Sequence, residues 1–216
     1  MASAPPPSDL DRHAAVTRSM LGWGVVAGPF YLAFGLVIAL NRAGFDLSRD
    51  ALSVLLIGDW GWVQGLNLVL SGAMTIVAAS GLWRTPDWPR TSAVLVAVYG
   101  GCLVLSAFAV PDAASADAPT VPGVLHLVFG AIGFLTLGVA AIVAGGWFRR
   151  RSSRGSLWSL VAGIVVIIGF AAGGALATDP GGVLMIWLGV VTGWLWLALA
   201  CIAAYRAVPH PLRSRR

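Results

Sequence analysis

The stretch SLWSLVAGIVVIIGFAAGGALA, Ser156 to Ala177, decides the fold. It runs for 22 residues without a charge, longer than a core strand of a soluble protein, whereas about 20 apolar residues of helix cross a bilayer. A helix also satisfies its own backbone N–H and C=O groups in lipid, where no water can do so. Comparable apolar runs occur along the whole chain, and together they predict six spans, approximately 21–40, 62–82, 92–110, 123–148, 156–178 and 183–205.

Composition agrees with that reading. Only 11% of the 216 residues are charged and 58% are hydrophobic, with a mean hydropathy of +0.84; a soluble domain carries about 25% charged residues. The expected architecture is an all-α polytopic membrane protein, six transmembrane helices in one bundle (21–206), with connections too short for a separate soluble domain. The Pro-, Ser- and Ala-rich start, residues 1–20, reads as a disordered tail, and 207–216 as a basic one. The first apolar run is too long for a signal-peptide core and no A-x-A cleavage site follows it, so it reads as an uncleaved first helix.

The net charge of +5 is explained by topology rather than by nucleic acid, for which a contiguous soluble basic face would be needed. The chain has no Lys and no Glu, so Arg and Asp alone report the sides of the membrane. Twelve Arg fall in the N-terminal tail, the 83–91 and 149–155 loops and the C-terminal tail; only Arg42 and Arg49 fall in the alternate loops. Positive segments are retained in the cytoplasm during insertion, which predicts cytoplasmic termini and an acidic outer face. The Ala- and Gly-rich, Lys-free composition matches a GC-rich bacterial genome, hence a bacterial plasma membrane.

Against this apolar background, GFDLSRDALSVLLIGDWGW, Gly44 to Trp62, is unusual. Capped by Ser48 or Asp46, a helix to Ile57 gathers Asp46, Arg49, Asp50 and Ser53 in one polar sector and turns Leu52, Leu55 and Leu56 the other way. At about 1.5 Å per residue it covers only about half a membrane, which predicts an interfacial or re-entrant lid. Gln64, Asn67, Asp112 and His126 converge on the same outer level, completing a candidate ligand site, and an ionisable residue such as His126 within a membrane helix points to function. A structural alternative competes: His126 bonding Asp112 or a loop carbonyl, and Asp46, Arg49 and Asp50 stapling the loop.

Other features carry less. Cys102 and Cys201 are expected to be free and buried, and no cofactor is expected. Trp23, Trp83, Trp88, Trp147 and Trp158 fit an inner interfacial belt, Trp60, Trp62 and Trp187 an outer one, and Trp194 and Trp196 fit packing. Gly pairs four apart (Gly24/Gly28, Gly169/Gly173, Gly189/Gly193) favour close helix packing and raise a homodimer or membrane-protein partner as an expectation beside membrane lipids. NLVLSGA from Asn67 and HLVFGAI from His126 faintly echo each other.

GFDLSRDALSVL, then GDWGWVQGLNLVLSG, then VPD and a His opening the fourth helix resemble the six-helix bacterial and archaeal membrane proteins of domain of unknown function 998. The resemblance covers about Gly24 to Tyr205. It maps an outer-loop pattern onto Phe45, Asp46, Ser53, Leu55, Gly61 and Trp62, and a Pro-Asp and a His onto Pro111, Asp112 and His126. Val54 departs from it, standing where an acidic residue often follows the Ser. The resemblance implies a fold and a location for the site, but no activity.

Three classes of function follow. The leading one is a binding or accessory protein whose acidic outer pocket holds a lipid headgroup, small cation or partner. The second is a membrane hydrolase, with Ser53, His126 and Asp112 as nucleophile, base and orienter, or Asp46, Asp112 and His126 holding a metal that activates water. No G-x-S-x-G or H-E-x-x-H supports it. The third, a small-solute transporter, calls for polar or broken helices at the midplane, which here is almost wholly apolar.

Overall fold

The computed structural model describes residues 11–113, 116–176 and 179–212. The order is α1 (Arg12–Leu40), a 3₁₀ helix (Leu52–Leu56), α2 (Gly61–Arg84), α3 (Arg90–Ser106), α4 (Val121–Arg149), α5 (Ser153–Ala175) and α6 (Pro180–Ala207), with no strand among the described residues. Each helix packs on its sequence neighbours and α1 closes on α6, so the six form a ring; α6 also reaches inward to α2 and α4. Five of the helices are long and apolar enough to cross a membrane, which makes this a multi-pass membrane protein. The sixth, α3, has 17 residues, about 25 Å at helical rise. Its outward residues Val94, Val98 and Leu105 are exposed and apolar, as are those of its neighbours.

The helix walls meet through glycine. A Cβ on Gly72 would lie 2.6 Å from the Gly100 carbonyl, and one on Gly100 2.8 Å from the Gly72 carbonyl. Gly138 and Gly163 repeat the arrangement between α4 and α5, at 2.8 and 2.5 Å. These are the equivalent packing positions of the two hairpins, not the residues aligned by the echo between Asn67 and His126. Gly24 and Gly28 face Cys201 and Trp194, Gly169 and Gly173 face α6, Gly189 faces α5, and Gly193 faces Leu137 and Val166. The paired glycines are therefore engaged in close contacts within the chain.

Several expectations change at the ends. α1 begins at Arg12, inside the segment read as a disordered tail, because Asp11 caps it (Ala14 N to Asp11 Oδ1, 3.1 Å) and the Asp11 N–H donates to the Pro211 carbonyl at 3.0 Å. The rest of that tail, 1–10, lies outside the described residues, as do 177–178 of the fifth span and 213–216 of the basic tail. Trp88 and Trp147, expected in a belt, are 4% and 3% exposed; their rings meet at 4.8 Å, and Trp147 Nε1 donates to the Pro86 carbonyl. They plug the arginine-rich end of the bundle, and Arg151 stacks over Trp147 at 3.8 Å. Trp60 and Trp62 remain 72% and 64% exposed, as an interfacial pair should. Trp194 packs between Tyr31 and Tyr99, and both cysteines are free and buried.

Candidate functional site

The opposite end of the bundle, where α1, α3 and α5 finish, carries the 41–60 segment as a lid. Its helix is shorter than expected. Residues 46–50 form a turn and only Leu52–Leu56 are helical, because the Asp46 carboxylate accepts from Ser48 N (2.9 Å) and Oγ (2.7 Å) while Asp50 Oδ2 accepts from Asp46 N (2.8 Å). Side chains that bond nearby backbone this way offer it an alternative to the helix. The bonds from Ser48 hold the Asp46 carboxyl below the usual carboxylate range. Arg49 reaches Asp46 at 3.9 Å with both side chains mostly exposed, a pair of small energetic consequence.

The leucines behave as read. Leu52, Leu55 and Leu56 are buried, and Leu52 sits over Gly35 of α1 beside the Asn67 amide. A Cβ at Gly61 would collide with the Leu56 carbonyl, so the lid can turn into α2 only over a glycine. Beneath the lid runs a polar row on the inner face of α2. Gln64, Asn67, Ser71 and Thr75 are all 0% exposed. Asn67 Nδ2 donates to the Tyr31 carbonyl (3.1 Å) and to Gln64 Oε1 (3.2 Å), Ser71 Oγ donates to Asn67 Oδ1 (3.3 Å), and Thr75 Oγ1 donates to the Ser71 carbonyl (2.8 Å). Gln64 Nε2 is buried without a partner among the described residues.

The remaining predicted residues are bonded elsewhere. Asp112 accepts from Thr120 N (3.1 Å) and Oγ1 (2.6 Å) at the start of α4, and a Cβ on Gly123 would collide with its carboxylate. His126, half-buried one turn along, donates through Nδ1 to the Ala109 carbonyl at 2.7 Å, since a carbonyl can only accept. It thus ties α4 to the end of α3. Ser53 is half-buried, and among the described residues no hydrogen bond links Ser53, His126 and Asp112. Nor do three His, Cys, Asp or Glu come together to hold a metal among them, so Asp46, Asp112 and His126 do not converge.

An open groove lies to one side, between the end of α1, the lid and the start of α2, with a volume of about 580 Å³. None of the eight predicted ligand residues lines it; Ile38, Leu55 and Val63 form its apolar wall, and Arg42 and Asp59 bring charge. Arg42 Nη1 donates to the Leu55 carbonyl at 3.2 Å. The groove is thus mixed in charge rather than acidic. Both its charged residues were visible in the sequence. The overlooked signal was Arg42, one of two arginines on the arginine-poor side.

Residues 25–203 match the family described as protein of unknown function DUF998, and the chain belongs to it. No curated protein and no solved structure gives a match.

Proposed function

We propose that this family member spans a bacterial plasma membrane six times, with both termini in the cytoplasm, and binds membrane amphiphiles at its outward-facing lid end as a binding or accessory protein. The twelve-to-two arginine split supports the orientation. The apolar outward face of α3 supports six spans rather than five.

The groove beside the lid carries the binding reading. Its volume of about 580 Å³ is that of a small-molecule site, and it opens next to Trp60 and Trp62, at the level where bilayer meets water. Away from the groove, Asp46, Ser48 and Asp50 hold the lid turn, and Asp112 and His126 hold the junction of α3 and α4. Each spends hydrogen-bonding capacity on holding a turn or a helix end, which suits a structural role more than a reacting constellation. In the enzyme reading Ser53, His126 and Asp112 would need to meet.

Extraction of the protein with its surrounding lipid in polymer nanodiscs, followed by mass spectrometry of the retained lipids, tests this. The expected result is enrichment of a discrete amphiphile class over the bulk membrane. A retained profile identical to the bulk membrane would overturn it.

A further inference from the structure

Resting on the amphiphile-binding reading, we propose that the groove selects a zwitterionic phospholipid carrying a phosphate and a primary ammonium. Arg42 receives the phosphate, Asp59 the ammonium, and Ile38, Leu55 and Val63 the first part of an acyl chain.

The arginine distribution points there first. An arginine on the translocated side opposes the topological bias, and only Arg42 and Arg49 stand there. Arg49 has a carboxylate partner in Asp46. Arg42 has none within ion-pairing distance among the described residues; its Nη1 is oriented by the Leu55 carbonyl at 3.2 Å, leaving the other face of the guanidinium to the groove. A guanidinium positioned at one nitrogen loses little freedom on meeting a phosphate, and its planar fork matches phosphate oxygens.

Asp59 supplies the second charge. It lines the same groove and is exposed, yet forms no ion pair with Arg42. Two opposite charges that share a groove without neutralising each other complement a ligand bearing both charges in the reverse order. Gly58, between the lid and Asp59, sits at φ +90°, where a side chain is strained, and a Cβ there would lie 3.6 Å from Arg42 Nη2. The positive φ is what calls for glycine there, at the turn that carries Asp59 beside the guanidinium. The apolar wall commits the occupant to a lipid rather than a free headgroup.

The test is native mass spectrometry of the full chain in detergent, titrated with phosphatidylethanolamine, phosphatidylcholine and phosphatidylglycerol of matched chains, with soluble phosphoethanolamine as competitor. Wild type should retain phosphatidylethanolamine best, by roughly tenfold or about 1.4 kcal/mol, and phosphoethanolamine should not displace it. Arg42→Gln should weaken all three lipids alike. Asp59→Asn, at an exposed position whose side chain has no hydrogen bond or ion pair among the described residues, should erase the preference for phosphatidylethanolamine over phosphatidylglycerol. Equal retention of the three lipids by wild type, an unchanged preference in Asp59→Asn, or displacement by phosphoethanolamine would each overturn the headgroup assignment while leaving amphiphile binding standing. If Arg42→Gln only lowers the unfolding temperature and leaves lipid retention unchanged, Arg42 is a clamp on Leu55 and the assignment fails. Retention of no lipid by wild type would remove both this assignment and the reading beneath it.

Discussion

The lid turn at residues 46–50 and the row at Gln64, Asn67, Ser71 and Thr75 are both polar, and they use that polarity in opposite ways. The turn holds three of the chain's charged residues within five positions, yet its hydrogen bonds run between neighbours and its ion pair is 76% and 54% exposed. The row has no charge, is wholly buried, and reaches across to the α1 backbone. Water and salt screen the first. Nothing screens the second, so each partner it loses is felt. Density of charge along a membrane sequence therefore marks where solvent is, whereas an uncharged amide on the inner face of a helix marks where the helices are committed to one another.

Removing Asn67 breaks that contrast at its stronger side. Asn67→Ala removes the partner of Gln64 Oε1 and of Ser71 Oγ, and takes from the Tyr31 carbonyl the bond it accepts beyond its place in α1. Bilayer hydrogen bonds between helices average about 0.6 kcal/mol, and an unpaired buried group costs about 1–3 kcal/mol, so a loss of about 2 kcal/mol is expected in reversible unfolding in mixed micelles. The double change Gln64→Leu with Asn67→Leu, which removes both amides, should cost less than the single truncation; a greater cost would mean that the amides serve as more than paired polar groups.

The charged turn should respond least. Asp46→Asn keeps an acceptor for Ser48 but loses the carboxylate charge, so it should lower the unfolding midpoint slightly at neutral pH, and the difference from wild type should vanish at acid pH. The folded carboxyl is held below its unfolded value, so its contribution is complete above the unfolded carboxylate range and is lost as the pH falls through the lower folded value. Protection of the Ser48 amide from hydrogen exchange, taken relative to the intrinsic rate at each pH, should fall on acidification in wild type and stay flat in Asp46→Asn. An acid limb that survives in the variant would assign the dependence to another group.

Much of the fold was legible because depth in a bilayer is written in length and hydropathy. The helix expected at 62–82 is Gly61–Arg84, and the one expected at 183–205 is Pro180–Ala207. What periodicity does not report is which way a residue faces in a helix that is apolar all round. Trp88 and Trp147 were at the right depth for a belt but are turned into the bundle, and Gly189 could be read as readily toward a second copy as toward Gly169. The start of α1 depends on a bond from Asp11 to Pro211, a contact between the two ends of the chain that no local pattern contains. In the site, the lid leucines and the position of Gln64 and Asn67 were readable. The groove was not, because Arg42 and Asp59 are separated by the whole lid and meet only once Leu52, Leu55 and Leu56 have folded beneath it.

Whether the lid turn and the arginine-rich end face opposite sides of the membrane is decided by α3, whose 17 residues make it the shortest of the six helices. Cysteines placed singly at Ser48 and at Ser152, with the buried Cys102 and Cys201 replaced by Ala, can be probed in intact cells with a membrane-impermeant maleimide. Six spans predict labelling at position 48 from outside and at position 152 only after the membrane is opened. Labelling of both positions in intact cells would mean that α3 does not cross, and the outward lid end with its groove would lose the bundle that defines it.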